Sequence, residues 1–401
     1  MPNKKRKKTS NNKIGVILIV AIIIIVSALS LYFFRDRLPF DFSSLFNRTE
    51  ETGGNGETGD VYGDFSYNSV LSGLDKVTLP EQFDVDNLTE VHFIDVGQGD
   101  AIVIMLPDGK VCIIDAGSGT SVSKATREKY LAYLSDNLNI SYIDYMIVTH
   151  ADSDHYNILP YVVSLYRIGH LYYNVNTKSG YQTFINNALP KVDGTKTAFS
   201  SRLSAPITII GVDYKLSIYV IGSLPGATSA TNSNSLITVF EYGGRTVVFT
   251  GDAEKGTEEW FVAQLPSSFD ADVLKVGHHG SHSSTSDAFL SKIKCEYAVI
   301  CVGEGNGYNH PHAEPMASLD SKGLATYRTD VHGHVALYID GDGDFGFAVE
   351  KNEPAQNNSV GRNVMKITIV VVTDSVSNAA RRESQNMLFG LFFFFKYTVI
   401  C

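Results

Sequence analysis

The segment that most restricts how this chain can fold lies at residues 149–155, where Thr-His-Ala-Asp-Ser-Asp-His directly follows the apolar run Tyr145–Val148. A strand that ends in such a loop presents side chains at a sheet edge, where several of them can converge. The segment brings together two imidazoles and two carboxylates, and carboxylates so close together repel each other unless a cation lies between them. Nitrogen and oxygen ligands without a thiolate suit Zn²⁺, Mn²⁺ or iron. A solvated polar loop is the alternative interpretation.

Two further apolar runs end in side chains of the same kinds. Phe249 is followed by Thr250-Gly251-Asp252, and Val273–Val276 is followed by Gly-His278-His279-Gly-Ser. Three strand ends that each supply ligands are what a two-metal site requires, because such a site needs about six protein ligands. The pattern therefore predicts two divalent metal ions, Zn²⁺ or Mn²⁺, bound where these strands end.

The rest of the body alternates short apolar runs with turn signals, which is typical of a mixed α/β domain. No repeat of about 20–50 residues is present, so solenoids and propellers are excluded. Two mixed sheets with helices outside, an αββα sandwich, accommodate the order of elements, although the pattern alone does not select that fold. We predict helices over Ser123–Leu138, over Ile158–Tyr166 and after Glu254, and strands at Val91–Asp95, Ala101–Leu106, Val111–Asp115, Tyr142–Val148, Leu216–Ile221, Leu236–Tyr242, Thr246–Thr250 and Asp272–Val276.

The two ends of the chain differ from its body. Residues 1–13 are basic, and residues 14–34 are uncharged; at 1.5 Å per residue they reach about 30 Å, the thickness of a bilayer core. We therefore predict a basic cytoplasmic segment (1–13), one transmembrane helix (14–34), a stalk or linker (35–85), a folded domain (86–354) and a tail of unknown role (355–401). The basic excess before the span predicts a cytoplasmic amino terminus and an extracytoplasmic body at the cytoplasmic membrane. A cleaved signal peptide, with small residues at 28–30, is the alternative.

Charge and cysteine content exclude several classes of protein. Residues 1–37 carry eight Lys or Arg and one Asp, which leaves 25 basic and 42 acidic residues, net −17, for the rest of the chain. So acidic a body is a poor non-specific binder of nucleic acid. The four cysteines form no Cys-x-x-Cys pair, which excludes a cysteine-type zinc module and a disulfide-stapled scaffold.

The segments that carry this chemistry resemble the metallo-β-lactamase superfamily and, within it, the extracytoplasmic hydrolase-like domain of the ComEC competence proteins. The resemblance covers about residues 90–340 and implies the αββα metallo-β-lactamase sandwich. The matching segments, in the family's order, are His92–Asp100, Ile114–Gly117, His150–His155, Asn232–Leu236, Thr250–Glu254, Leu274–Ser281 and Asn309–His312.

This resemblance also implies roles for individual residues. His150 and Asp152 would hold one metal, Asp154 and His155 the other, and Asp252 would bridge both. One of His278 and His279 would complete the second site, with His278 preferred because it is nearer the strand end. Asn232 or Asn234 stands where other branches supply a further histidine, and His310 or His312 could reach the site as an acid or an oxyanion partner. The predicted catalytic residues are Asp154, His279 and His310; the predicted metal ligands are His150, Asp152, Asp154, His155, Asp252 and His278.

One departure from the family pattern concerns the entrance to the site. After His155 the family usually has Ile-Gly-Gly, whereas this chain has Tyr156-Asn157-Ile158. Glycines at that place let the backbone pass close to the site. We therefore expect Tyr156 to narrow the entrance and Asn157 to take over the backbone freedom of a glycine.

The function that the resemblance implies is that of a membrane-anchored, metal-dependent hydrolase using a metal-activated water, with a phosphodiester, possibly DNA, as the favoured substrate. Protein partners are unknown. Hydrolysis of another ester (a choline phosphoester or a lactone) and a non-catalytic scaffold of the same fold are the alternatives. With one span and no multi-helix channel, the chain is not expected to form a DNA channel itself.

Three remaining features have ordinary structural interpretations. Asp340–Asp344 begins like a calcium loop but lacks the glycine and the glutamate that such a loop needs, so we predict a turn between strands. His332 and His334 flank a glycine and are expected at the surface. Cys295 and Cys301 are expected to be buried thiols.

Overall fold

The computed structural model describes residues 87–222 and 229–351, Gln356, and the backbone of short strands at 77–78, 365–366 and 368–369. All of these fall within the compact unit Phe65–Cys401. The predicted basic segment and transmembrane span lie outside the described residues, as do most of the predicted stalk and tail. Among the residues that are described, no helix is both long enough and apolar enough to cross a bilayer.

The first sheet has nine strands in the order β17-β16-β15-β2-β3-β4-β5-β6-β7. Its centre is an antiparallel meander, whereas β4 to β7 run parallel to one another. A separate two-stranded ribbon pairs β1 with β18. The strands are β1 (Val77–Thr78), β2 (Thr89–Phe93), β3 (Ala101–Met105), β4 (Val111–Ala116), β5 (Ile143–Val148), β6 (Ile168–Asn174), β7 (Lys196–Phe199), β15 (Val335–Ile339), β16 (Phe345–Val349), β17 (Met365–Lys366) and β18 (Thr368–Ile369).

The second sheet has seven strands in the order β14-β13-β12-β11-β10-β9-β8. Strands β11 to β14 are parallel, and β8 to β11 form an antiparallel meander. The strands are β8 (Ile207–Ile210), β9 (Tyr214–Tyr219), β10 (Ile237–Tyr242), β11 (Arg245–Phe249), β12 (Val273–Lys275), β13 (Tyr297–Ile300) and β14 (Ala325–Arg328).

The helices are short, and some begin with a side-chain cap. Ser123 accepts a hydrogen bond from the Thr126 backbone N–H (3.0 Å), and Ser286 accepts one from Phe289 (3.3 Å); such caps satisfy N–H groups that a helix leaves free. The helices are α1 (Lys124–Ala132), α2 (Ser153–Tyr156), α3 (Leu159–Leu165), α4 (Ser179–Ala188), α5 (Lys255–Gln264), α6 (Asp287–Ile293), α7 (Ala313–Ser321) and α8 (Thr329–His332). A π-helical turn at Tyr133–Asn137 continues α1.

Three apolar layers show how these elements pack. The central layer lies between the sheets, where Phe93 of the first meets Phe249 of the second with ring centroids 6.1 Å apart. A second layer buries α1, α3 and α4 against the first sheet, and a third buries α5, α6 and α7 against the second. Two mixed sheets with helices outside confirm the predicted αββα sandwich.

Most predicted elements are present, with differences at their ends. The helix predicted over Ser123–Leu138 divides into α1 and the π-helical turn. Before β12, strands β6, β7 and β8 and helices α2 and α4 were not predicted, and no bounds were predicted for the elements after β12. The turn predicted at Asp340–Asp344 is confirmed: it joins β15 to β16, and the Asp340 carboxylate accepts hydrogen bonds from the backbone of Asp342 and Asp344.

The expectation that His332 and His334 lie at the surface is wrong. His332 is fully buried and His334 is 5% exposed. The backbone N–H of Asp95 donates to His334 Nδ1 at 2.9 Å. Cys295 and Cys301 are buried free thiols, as expected.

Candidate metal centre

The predicted ligands lie where parallel strands of both sheets end. In the first sheet, His150 and the short helix α2 follow β5. In the second sheet, Asp252 follows β11, and His278 and His279 follow β12. Both histidines have positive φ, 49° and 53°, which is uncommon for residues other than glycine and is found at functional sites.

The carboxylate of Asp252 divides the cluster into two sides. Its Oδ1 lies 3.0 Å from His155 Nε2 and 3.6 Å from His279 Nε2. Its Oδ2 lies 3.7 Å from His150 Nε2 and 3.6 Å from His278 Nε2. One carboxylate therefore faces two pairs of imidazole nitrogens.

The other two predicted carboxylates extend these two sides. Asp154 Oδ2 is 3.5 Å from His279 Nε2, so Asp154 belongs with the Oδ1 side. Asp152 Oδ2 is 3.7 Å from His150 Nε2, so Asp152 belongs with the Oδ2 side. The other oxygen of Asp152 forms an ion pair with Lys178.

Several buried polar atoms at the centre of the cluster have no hydrogen-bond partner. They are His150 Nε2, His155 Nε2, His279 Nε2 and Asp252 Oδ1. Buried polar groups are nearly always satisfied, so such exceptions indicate a missing ion or water. Zinc–ligand bonds of about 2.0–2.2 Å place neighbouring ligand atoms about 3–3.5 Å apart, close to the observed spacings. The residues present therefore fit divalent cations.

Asp115 fixes the orientation of His155 from behind. It lies at the end of β4 and accepts hydrogen bonds from the Thr149 backbone (2.8 Å) and the Thr149 hydroxyl (2.5 Å). His155 Nδ1 lies 2.7 Å from the same carboxylate. Since Nδ1 donates to Asp115, Nε2 faces the cluster as a ligand atom.

His279 is oriented by the backbone in the same way. Its Nδ1 is 2.8 Å from the carbonyl oxygen of Cys301. A carbonyl only accepts, so Nδ1 carries the proton and Nε2 faces Asp154 and Asp252.

A buried ion pair lies behind these histidines. The fully buried ammonium of Lys275 pairs with Asp100 and donates to the Gly251 carbonyl at 3.1 Å. Asp100 Oδ1 is 3.3 Å from His279 Nδ1. Burial opposes ionisation of Asp100, but Lys275 and His155 outweigh it and lower the pKa of this carboxyl to about 2.

Two groups of three side chains bring ligand atoms within 4.8 Å of one another: Asp100 with His155 and His279, and Asp115 with His150 and His155. In both groups the aspartate approaches His155 at Nδ1. The Nε2 atoms without partners face Asp252 instead. Asp100 and Asp115 therefore act as orienting groups, and the ligand set is built around Asp252.

The electrostatics of the cluster favour bound positive charge. Burial opposes ionisation of Asp252, yet His155, His279 and His278 hold its pKa well below the usual range. Burial lowers the pKa of His279, but Asp252, Asp100 and Asp154 outweigh it and raise that pKa to about 10. Within the described chain, Asp154 and Asp252 form ion pairs with histidines and with no Lys or Arg. Cations can replace the protons that these histidines would otherwise hold.

The structure separates the two neighbouring histidines. His279 is 1% exposed and faces Asp154, the side that the sequence assigned to His278. His278 lies on the Oδ2 side with 22% of its side chain exposed. The Asn232 amide nitrogen is 3.1 Å from His278 Nε2, and the Ser283 hydroxyl is 3.1 Å from Nδ1.

His310 also reaches the site. Its ring centroid is 5.6 Å from that of His278 and 6.3 Å from that of His279. Burial and the neighbouring His279 lower the pKa of His310 to about 4. His312 instead accepts from the His282 backbone N–H at 3.1 Å and does not line the cavity, whereas His310 does.

Asn157 does not supply the backbone freedom of a glycine, which we expected, but forms hydrogen bonds through its side chain. Its φ is −70°, so no glycine-like backbone is needed there. Its side chain accepts from the Ser118 N–H (2.8 Å) and donates to the carbonyls of Ser118 (2.8 Å) and Gly119 (3.1 Å). Tyr156 is among the residues that line the cavity in front of the cluster.

The cavity in front of the cluster has a volume of about 340 Å³. A larger cavity, about 520 Å³, lies by the turns at 211–214 and 243–244, but it is lined by no histidine and lies where β11 begins, opposite the end that Asp252 follows. The sequence did not identify Asp100, Asp115, Lys178 or Lys275 as functional. A usable signal exists for two of them, because Asp115 and Lys275 are charged residues inside otherwise apolar strands, whereas Asp100 ends the loop before β3.

Similarity of this sequence to known proteins agrees with the observed fold and ligand cluster. The profile of the family described as "Metallo-beta-lactamase superfamily" matches residues 94–304. The chain is 30% identical over 261 residues to ComE operon protein 3 of Bacillus subtilis, covering 61% of this chain and 32% of that protein. It is 29% identical over 250 residues to Recombination protein 2 of Haemophilus influenzae, covering 62% and 28%. It is 34% identical over 102 residues to Competence protein ComA of Neisseria gonorrhoeae, covering 25% and 15%.

The matched region spans about a third or less of the length of these relatives. The family match at residues 94–304 includes all the strand ends at which the ligand cluster is built. The chain therefore belongs to the metallo-beta-lactamase superfamily, and its relatives there are ComEC-like competence proteins.

Proposed function

We propose that this protein is a metal-dependent phosphodiesterase or nuclease of the ComEC-like branch, anchored to the cytoplasmic membrane by residues 14–34 with its folded domain outside. The superfamily fold is that of metal-dependent hydrolases. The choice of a phosphodiester as substrate goes beyond the fold and rests on the arguments below.

The observation that carries the proposal is the placement of Asp252 between two sets of side chains. We assign His150, Asp152 and His278 to one divalent cation and Asp154, His155 and His279 to the other, with Asp252 shared between them. His278 thus completes the first set, where Asn232 stands in place of a further histidine. This assignment keeps all six predicted ligands and adds His279.

Bound in this way, two divalent cations would polarise a phosphoryl oxygen and lower the pKa of a water molecule. The protein's own contribution is orientation. Asp115 and the Cys301 carbonyl hold His155 and His279 with Nε2 towards the cluster, so little reorganisation is needed during the reaction. His310 has a buried Nδ1 without a hydrogen-bond partner, and we propose that it contacts the substrate in the predicted catalytic role.

Two arguments favour a phosphodiester over other esters. Competence protein ComA and Recombination protein 2 carry names connected with DNA. Two cations on either side of a shared carboxylate also suit a phosphoryl group, which carries charge on several oxygens. Among the described residues that line the cavity, Lys178 is the one lysine, and no arginine lines it, so Lys178 and the metals would supply the positive charge that an anionic substrate meets there.

The test compares Asp252→Asn with Asp272→Asn in the detergent-solubilised full chain. Asp272 precedes β12, at the opposite end from His278, and pairs with Arg245 at 3.0 Å. Wild type and Asp272→Asn should hold about two metal ions by mass spectrometry and hydrolyse a bis-aryl phosphodiester. Asp252→Asn should hold one or none and lose at least about 100-fold in turnover, because the shared ligand is gone. Unchanged metal content and turnover in Asp252→Asn would reject the shared-carboxylate site.

A further inference from the structure

An exposed aromatic ring stands at the wall of the candidate metal centre. Five large apolar side chains of the described residues are exposed: Leu165, Val175, Ile210, Val212 and Tyr308. Of these, Tyr308 alone lines the cavity that holds Asp252, His278 and His279, and half of its surface is accessible. An aromatic face left open in a polar cavity is a surface on which a flat ligand group can stack.

The side chain of Asn306 cross-links the loop that carries Tyr308. The Asn306 amide donates to the carbonyls of Gly303 (3.0 Å) and His310 (2.6 Å). Its oxygen accepts from the backbone N–H groups of Tyr308 (3.1 Å) and His310 (3.0 Å). The Tyr308 ring stacks on His310 with centroids 5.7 Å apart and planes 22° apart. The ring is therefore positioned before any ligand arrives, which reduces the entropy cost of binding.

Two polar side chains of the same cavity offer hydrogen-bond donors to an anionic or polar ligand. Gln98 lines the cavity, and its Nε2 is buried without a hydrogen-bond partner. Its Oε1 accepts from the Gly303 N–H at 3.3 Å, which fixes the amide orientation. Lys178 pairs with the Asp152 oxygen that faces away from His150, and half of its side chain is exposed. An unsatisfied amide donor and an accessible ammonium thus lie in the cavity with the ring.

We propose that Tyr308, Gln98 and Lys178 form a nucleotide subsite beside the metal centre, in which an unpaired nucleobase stacks on Tyr308 while phosphodiester oxygens meet Gln98 Nε2 and Lys178. The inference rests on the proposed phosphodiesterase function and names its substrate class: single-stranded nucleic acid. A base inside a duplex is already stacked on its neighbours and cannot offer a face to the ring.

The size and charge of the site agree with this substrate. At about 340 Å³ the cavity is at the small end of ligand sites, about 300–1,000 Å³, which suits one nucleotide unit and excludes a duplex. The body carries a net charge of −17, so rows of phosphate contacts are not available to it. Stacking is independent of that charge, and it lets an acidic protein hold a nucleic acid strand through one base and one phosphate.

The experiment measures binding of two fluorescent single-stranded oligonucleotides to the metal-free full chain by anisotropy. One is a thymidine oligonucleotide and the other has the same length with abasic residues. Excess duplex DNA occupies the basic residues 4–13 and is present throughout. Tyr308→Ala should weaken binding of the thymidine strand about 5- to 150-fold, the loss of one stacked base, while Tyr308→Phe, which keeps the ring, should bind like wild type. The abasic strand should bind equally weakly to all three proteins.

Lys178 is tested by the salt dependence of the same binding. Lys178→Gln should reduce the slope of log affinity against log salt by about 0.7, the value for one phosphate contact on a single strand, and Lys178→Arg should keep the wild-type slope. Equal binding of thymidine and abasic strands by wild type overturns the subsite, even if the bis-aryl phosphodiester is hydrolysed. Failure to hydrolyse that ester, with base-dependent binding intact, instead rejects the proposed function and leaves the subsite standing.

Discussion

The buried ammonium of Lys275 determines how much negative charge lies behind the ligand histidines. It is fully buried and pairs with Asp100, which lies against Nδ1 of both His155 and His279. Burying two charges gains little net stability, but removing one partner leaves the other charge buried and uncompensated. The pair therefore cancels the charge of Asp100 behind the metal centre, where Asp115 is the other carboxylate, while Asp252 and Asp154 face the cluster from the front.

Lys275→Met is expected to lower the free energy of unfolding by about 3–5 kcal/mol, because Asp100 loses its cation inside the protein. Lys275→Met combined with Asp100→Asn should recover much of that loss. Lys294→Met is the matched control: Lys294 pairs with Asp270 at 2.7 Å, but both side chains are more than half exposed, so a change within about 0.5 kcal/mol is expected. Urea unfolding of the wild type, the two single lysine variants and the double variant measures these free energies. Similar small losses from Lys275→Met and Lys294→Met would contradict a structural role for the buried pair.

At the scale of elements, the short helix α2 is held in place by glycines of neighbouring loops. A Cβ on Gly117 would lie less than 3 Å from the Asp154 carbonyl carbon and the His155 nitrogen, and a Cβ on Gly99 would meet the Asp154 carbonyl oxygen. The Asp100 N–H donates to that same carbonyl at 3.0 Å. The loops that carry Gly99 and Gly117 therefore leave room for the backbone of α2 because neither residue has a side chain.

Gly117→Ala is expected to push the backbone of Asp154 and His155 away from Asp252. The cost in stability should be about 1–3 kcal/mol, typical of overpacking, and metal content should fall with it. Gly307→Ala serves as the control, since a Cβ there meets nothing within 4 Å. Its stability should stay the same or rise slightly. Thermal melts and metal analysis of both variants check this. A Gly117→Ala protein that melts and binds metal like wild type would show that the loops can move aside without loss of stability.

The sequence predicts elements and ligands best where the signal is local. The strand-end residues His150 and Asp252 stand out because polar side chains directly follow apolar runs, and β2 to β5 were predicted for the same reason. Strand β6 was missed because Gly169 and His170 interrupt its apolar pattern.

Residues whose roles depend on distant contacts were missed or misplaced. His334 looks like a turn residue, yet it accepts a hydrogen bond from Asp95, 239 positions away. Asp115 and Lys275 acquire their roles only when β4 and β12 are in place. The sequence also could not show which of His278 and His279 lies on the side of Asp154. That depends on the backbone torsions that turn the two rings to opposite sides of Asp252.

At the scale of the whole molecule, the charge is distributed unevenly between the amino-terminal segment and the body. Residues 1–37 carry a net +7 and the remainder carries −17. Cytoplasmic flanks of membrane spans are enriched in Lys and Arg. We therefore keep the proposal that the body lies outside the cytoplasmic membrane.

Protease added to intact cells is expected to remove the folded domain and leave a short membrane-bound fragment, because the segment at residues 48–64 is rich in Gly, Glu and Thr and offers little to bury. Immunoblots against tags at the two ends measure this, with a cytoplasmic protein as the control for cell integrity. Full-length protein that survives in intact cells and is cut only after lysis would reverse the orientation.

The proposed ligands come from both sheets: His150, Asp152, Asp154 and His155 follow a strand of the first, and Asp252, His278 and His279 follow strands of the second. Bound metal ions would therefore favour docking of the two sheets. Because the two equilibria are linked, docking raises the affinity for metal by the same factor by which metal binding favours docking. In surroundings where divalent cations are scarce, the sandwich would open more often along its central apolar layer. The same cluster that is proposed to carry out hydrolysis would then make the stability of the folded domain depend on the supply of metal.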